Sequence, residues 1–180
     1  HQRRCPPLIN RGYYARYKSI DMLVRRFLER CAAAGKPSQV IVLGGGSDTM
    51  YLRYLDEIKQ AAEAETAEGA NATTDATSET TKTTATAPPL PSRFVEIDLP
   101  ENAIHKAATI AQSPEMCSLL GIEPLKHHHV DGQHAGEKAE ASGEEDERLR
   151  GVLHAGNYHV LPCDIRDTDA LDAAIKACRI

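Results

Sequence analysis

Three short runs of aliphatic and β-branched residues punctuate this chain: Gln39-Val40-Ile41-Val42-Leu43, Arg93-Phe94-Val95-Glu96-Ile97 and Tyr158-His159-Val160-Leu161-Pro162-Cys163. Each stops abruptly, the first at Gly44-Gly45-Gly46, the second at Asp98 and the third at Asp164. Runs this short and this apolar suit parallel strands buried on both faces, and helical periods separate them, so an α/β sheet of βαβ units is predicted. Before the first run, Tyr17, Ile20, Leu23, Val24, Phe27, Leu28 and Cys31 recur at steps of three and four, which predicts a helix over 18–34. Ser19 and Asp21 suit its first turn and Gly35-Lys36-Pro37 its end. Tyr51, Leu52, Leu55 and Ile58 share one side of a second helix, and Leu99-Pro100 opens a third with Pro in a tolerated first-turn position. Asp167 is the expected N-cap of the last, which carries Leu171, Ala174, Ile175 and Cys178. Pro162 cannot donate a ladder hydrogen bond, so the third strand is expected at a sheet edge. The order is then 3-2-1, one half of a doubly wound sheet.

Two stretches lack the apolar surface that offsets ordering entropy and are expected to be disordered insertions. Residues 61–90 are mostly Ala, Thr and Glu; residues 127–150 begin with a His tract and continue Gly- and Glu-rich. Outside them, a hydrophobic content of 41% across the 180 residues suffices for a core. The net charge of −5 argues against a general binder of DNA or anionic membrane, which needs a basic field. No apolar run approaches the roughly 18–20 residues of a membrane span. Five scattered cysteines without a C-x-x-C pair predict a reduced, cytoplasmic protein rather than a disulfide scaffold or zinc module. The start HQRRCPPLIN has neither an initiator Met nor a signal peptide, so the chain is expected to begin inside a longer protein.

In open α/β sheets the ligand lies beyond the carboxyl ends of the strands. The glycines at 44–46 let a ligand approach the backbone, and the helix behind them offers N–H groups to an anion. Asp98 is able to accept from a ribose diol, and Asp164 from the exocyclic amine of an adenine. A tight turn and two helix caps explain each feature singly, but their recurrence at successive strand ends points to a nucleoside cofactor. A dinucleotide fingerprint fails at Thr49, and no Walker lysine follows the glycines. Asp48 at the helix entrance would repel a pyrophosphate, yet suits the ammonium of an amino-acid-bearing cofactor. S-adenosylmethionine is therefore preferred to NAD.

Ile9-Asn10-Arg11-Gly12-Tyr13-Tyr14-Ala15-Arg16, then Val42-Leu43-Gly44-Gly45-Gly46-Ser47-Asp48-Thr49, resembles the leucine carboxyl methyltransferases. Phe94-Val95-Glu96-Ile97-Asp98-Leu99-Pro100 and Leu161-Pro162-Cys163-Asp164-Ile165-Arg166-Asp167 resemble that family's second- and third-strand motifs. The resemblance implies the Rossmann-like fold of class I methyltransferases, of which residues 1–180 would form a partial S-adenosylmethionine-binding domain interrupted by the two insertions. It implies methylation of the C-terminal leucine carboxylate of the protein phosphatase 2A catalytic subunit by a monomeric enzyme. By motif, Arg16 would pair with the cofactor carboxylate and Gly44 would lie against its methionine end. Asp98 would hold the ribose hydroxyls, while Asp164 and Ile165 would contact the adenine. A guanidinium suits such a carboxylate because it donates two parallel hydrogen bonds.

A terminal carboxylate has a pKa of about 3.3–3.7 and is already a nucleophile at neutral pH, so no catalytic acid or base is assigned. Positioning carries the reaction instead. The family has further strands and a substrate-gripping region with no counterpart here, so this chain is expected to be an inactive fragment with an unpaired edge at Val40–Leu43. Two rivals stand beside this reading: the tRNA wybutosine-synthesis branch of the same family, and a non-catalytic interaction module. The histidines at 127–129 and His134 lack a partner ligand at convincing spacing, so no metal site is assigned. The Asn71-Ala72-Thr73 sequon, the 137–147 acidic run and Cys163 are read as chance, solvated surface and core respectively.

Overall fold

The computed structural model describes residues 6–70, 87–124 and 152–178. The elements are α1 (Pro7–Ala33), β1 (Gln39–Leu43), α2 (Met50–Ala70), β2 (Arg93–Asp98), α3 (Pro100–Gln112), α4 (Pro114–Leu120), β3 (Leu153–Ala155), β4 (Tyr158–Pro162) and α5 (Thr168–Ala177). The chain divides into two compact units, one of residues 1–38 and 57–90, the other of 39–56 and 91–180.

The second unit holds a four-stranded sheet in the order β1-β2-β4-β3. The three strands read from the sequence are parallel neighbours in the expected order, with Val42 opposite Glu96 and Glu96 opposite Val160. The expectation that the Pro162 strand forms the edge is corrected, because the short β3 pairs antiparallel with β4, His154 lying opposite His159. Pro162 remains tolerable there. Cys163 donates to Asp98 O on the β2 side, so by the alternation of strand hydrogen bonds the Pro162 nitrogen turns the other way, past Val160, the last residue paired with β3. β1 lies at the other edge among the described strands, as expected from the missing further strand, but the burial that its apolar composition predicts is corrected: Ile41 and Leu43 are exposed, since among the described strands only β2 flanks it.

Strand alternation sends side chains to two faces. Phe94, Glu96, Tyr158 and Val160 share one parity and are buried; on this side Tyr51 of α2 stacks on Tyr158 with centroids 4.9 Å apart and rings 7° from parallel. Val95, Ile97 and Leu161 point the other way and pack with Cys163, Cys178 and the α5 residues Leu171, Ala174 and Ile175. Helix α3 begins with Pro100 at its first position, and Asp167 caps α5 by accepting from Ala170 N at 3.0 Å; both follow expectation.

In the first unit, α1 starts at Pro7, eleven residues before the expected boundary, as positions 7 and 18 show. Pro7 fits the first helical position, where its missing N–H costs nothing. Asp21 is therefore not a first-turn residue: it is buried mid-helix and accepts from Lys18 Nζ and Arg25 Nε. Arg25 then reaches Glu57 of α2 with two parallel bonds of 2.7 Å. The insertion expected from residue 61 is also corrected, since α2 continues to Ala70. Ala and Glu are strong helix formers, and a sequence without apolar periodicity still propagates a helix already nucleated by its buried first turns. Most of the remaining insertion residues, with the His tract, the Asn71 sequon and the acidic run, lie outside the described residues. Among the described residues no helix is long and apolar enough to cross a membrane.

Candidate functional site

The turn after β1 is built by its three glycines. Gly44 and Gly46 have φ of +69° and +54°, where a side chain is strained, and a Cβ built on either meets no atom within 4 Å. Gly45 is required for a different reason: a Cβ there would sit 3.0 Å from Val42 Cγ1 and 3.2 Å from Glu96 Oε2. The turn is fastened to the neighbouring strand, Gly44 N donating to Ile97 O at 2.8 Å and Gly46 N to Asp98 Oδ2 at 2.7 Å. Cys163 N donates to Asp98 O at 2.8 Å, which fastens the third strand tip to the second. Gly44, Asp98 and Asp164 therefore converge on one end of the sheet, and the space in front of the glycines is open.

Asp98 is more heavily engaged than its place after a strand suggests. Besides Gly46 N, its carboxylate accepts from Leu99 N at 2.7 Å and Asn102 Nδ2 at 2.9 Å. Two carboxylate oxygens offer about four acceptor positions, so about one remains for a ligand. Partial burial raises the Asp98 pKa, but the bonds from Asn102, Gly46 and Leu99, with Lys106 nearby, outweigh it and hold the carboxyl below its usual range.

Asp164 is engaged differently. Its two oxygens accept from Arg166 Nε at 3.0 and 3.1 Å and from Arg166 Nη2 at 2.5 Å, while Arg166 N donates to Oδ1 at 3.0 Å. The Arg166 side chain is 86% exposed, so an arriving ligand displaces it at little packing cost. Hydrogen bonds from Arg166 hold the Asp164 pKa at about 2, against 3.8 ordinarily. Because the folded-state value is depressed, this stabilisation is fully present above pH 3.8 and is lost as pH falls through about 2. Carboxyl NMR should show Asp164 titrating near 2, and Arg166→Ala should move the midpoint back towards 3.8. Ile165 beside it is exposed, an apolar surface at the strand tip.

Arg16 lies inside α1, not before it as the sequence suggested, and is exposed in the first unit. Asp48 caps α2 by accepting from Met50 N at 2.9 Å.

Sequence reasoning missed what lies beneath the turn. Glu96 and Lys106, 3% and 8% exposed, form a buried ion pair. Tyr158 Oη donates to Glu96 Oε1 at 2.8 Å, and Lys106 Nζ donates to Asp48 O at 2.6 Å. Burial raises the Glu96 pKa against the opposing pull of Lys106 and Tyr158. Lys106 also lines a pocket of about 140 Å³ with Ser47, Asp48, Thr49 and His105. The available signal was a charged residue inside an apolar strand, with Lys106 ten positions on along the next helix.

The comparisons accord with the motifs. No family model matches the chain. Over 168 residues it is 29% identical to leucine carboxyl methyltransferase 1 of Debaryomyces hansenii, covering 93% of this chain and 33% of that protein. It is 36% identical over 118 residues to the protein of that name from Cryptococcus neoformans, covering 66% of this chain and 24% of the relative. It is 28% identical over 176 residues to human tRNA wybutosine-synthesizing protein 4, covering 97% of this chain and 19% of the relative. The chain thus spans a third or less of the length of these relatives. In motif order, parallel sheet and sequence together, the chain is similar to part of the leucine carboxyl methyltransferases and of the wybutosine-synthesizing proteins.

Proposed function

We propose that the tips of β1, β2 and β4 bind S-adenosylmethionine, and that the protein carrying them methylates a C-terminal leucine carboxylate, that of the protein phosphatase 2A catalytic subunit. The observation that supports this most is the convergence of Gly44, Asp98 and Asp164, fastened by the Gly46 N to Asp98 bond of 2.7 Å. The residues fit the cofactor: Cβ atoms at Gly44 and Gly46 would occupy the open space in front of the turn, so glycines there leave the backbone approachable. The bound cofactor supplies an activated methyl group on a sulfonium. Asp98 offers its remaining acceptor position to a ribose hydroxyl. Asp164, released by Arg166, accepts from the adenine amine, and Ile165 gives the purine an apolar neighbour. Arg16 is assigned to the cofactor carboxylate by the motif it ends. No residue is assigned as a base, because the acceptor carboxylate is ionised at neutral pH.

The tRNA reading has its own support in the 28% identity to the human wybutosine-synthesizing protein. The net charge of −5 favours a protein acceptor, since RNA binding draws most of its affinity from cationic phosphate contacts. Calorimetric titration with S-adenosylhomocysteine should give saturable one-to-one binding. The intact gene product should then label a peptide ending in a free leucine carboxylate but not its amide. Absence of binding sinks the cofactor assignment; labelling of tRNA alone transfers the acceptor to the second reading.

A further inference from the structure

We propose that His154, His159 and Cys178 form a site for a soft divalent cation, best matched by zinc, at the end of the sheet away from Gly44, Asp98 and Asp164. The hairpin creates it. His154 of β3 and His159 of β4 are direct partners across the antiparallel ladder, their rings 5.0 Å apart and their Nδ1 atoms joined by a hydrogen bond of 2.8 Å. Cys178 closes α5 and is held there by its N–H to Ala174 O and Ile175 O. One donor atom from each of the three residues lies within 4.8 Å of the others. Two imidazoles and a thiol grouped this closely are the ligand chemistry of zinc, which takes N and S donors at about 2.0–2.3 Å.

A second observation points the same way. His159 is only 9% exposed, and its Nε2 is buried without a hydrogen-bond partner among the described residues. A cation on that nitrogen gives it the partner it lacks and leaves the Nδ1 side of the ring on its hydrogen bond to His154. Burial, His154 and Arg93 all keep the His159 ring neutral, the form that carries a lone pair for a metal. The Cys178 thiol is 3% exposed, and burial raises its pKa while Arg93 opposes the rise. Binding therefore drives the thiol proton into solvent and leaves a thiolate ligand, which cancels one of the two cation charges. His154 is exposed and gives the ion a path in. Three protein ligands leave the fourth tetrahedral position to water.

The sequence hides this site because the loop between the histidines, not their spacing, sets them side by side. The test uses the purified chain, cleared of metal with a chelator and titrated with cobalt(II), then zinc. One equivalent of cobalt should bind with a thiolate-to-cobalt charge-transfer band, and zinc should abolish the band. Cys178→Ser should remove the band. His154→Ala, at an exposed position that the fold tolerates, should weaken binding roughly tenfold or more. Changing the three histidines at 127–129 to alanine should leave the band intact. Binding without the band, a band that survives Cys178→Ser, or binding lost only with the 127–129 tract would each overturn the proposal.

Discussion

Lys106→Met is expected to lower the unfolding free energy by about 3–5 kcal/mol at neutral pH, because it strands a buried carboxylate. Glu96 is 3% exposed, and without Lys106 its charge keeps, among the described residues, only the Tyr158 hydroxyl as a side-chain donor. The Asp48 carbonyl loses its 2.6 Å donor at the same time. The cheapest relief is protonation of Glu96, whose pKa burial already raises in the native chain. A carboxyl with a raised folded-state pKa stabilises below its unfolded value and loses that contribution as pH rises through the folded one. The deficit of the variant should therefore shrink as pH is lowered towards 4.5, the ordinary glutamate value. Urea denaturation at several pH values measures it. Adding Glu96→Gln should restore most of the loss, since an uncharged amide keeps the Tyr158 bond and no longer needs a counter-ion. Equal stability of Lys106→Met and the native chain would show that water reaches the pair.

What the sequence disclosed and what it concealed divide along a physical line. Strands β2 and β4 were legible because burial on both faces leaves an unbroken apolar run; β1, whose Ile41 and Leu43 are exposed, was legible from its β-branched residues, and each run is bounded by residues that end strands. Gly44 and Gly46 were legible as a turn, and their positive φ explains why. The start of α1 was not, because Ser19 looks like a cap when its hydroxyl in fact bonds back to Ala15 O within the helix. Helix α4 carried every signal: Ser113 accepting from Met116 N, Pro114 at its first position and Gly121 at φ +66° behind it. It escaped because seven residues show too little periodicity. Strand β3, at three residues, has no period at all, so the edge fell to Pro162 by default. The Glu96 and Lys106 pairing was beyond local reading, since only the parallel register and the α3 crossover bring the two together. The candidate site shows the same division. Its backbone geometry follows from residue type, whereas the engagement of Asp98 by Asn102 and of Asp164 by Arg166 needed coordinates.

That engagement makes Asp98 the sharpest probe of the proposed cofactor site. Asp98→Asn should weaken S-adenosylhomocysteine binding about ten- to a hundredfold, the worth of a charge-assisted hydrogen bond of about 1.5–3 kcal/mol. The amide oxygen in the Oδ2 position keeps the Gly46 N–H, so the turn stays fastened, but the amide nitrogen in the Oδ1 position no longer accepts from Leu99 N and Asn102 Nδ2, and the anionic acceptor offered to a ribose hydroxyl is lost. Asp98→Ala removes both functions. Gly46 N, Leu99 N and Asn102 Nδ2 all lose their acceptor, and stability should fall by about 1–3 kcal/mol along with the affinity. The pair of variants separates two roles that one carboxylate combines. If asparagine binds as tightly as aspartate while alanine destabilises the fold, Asp98 is a fastening for the glycine turn and the ribose contact must be sought elsewhere. If asparagine loses affinity while costing less stability than alanine, the charge faces the ligand, and the strand tips are a nucleoside site and not merely a well-capped turn.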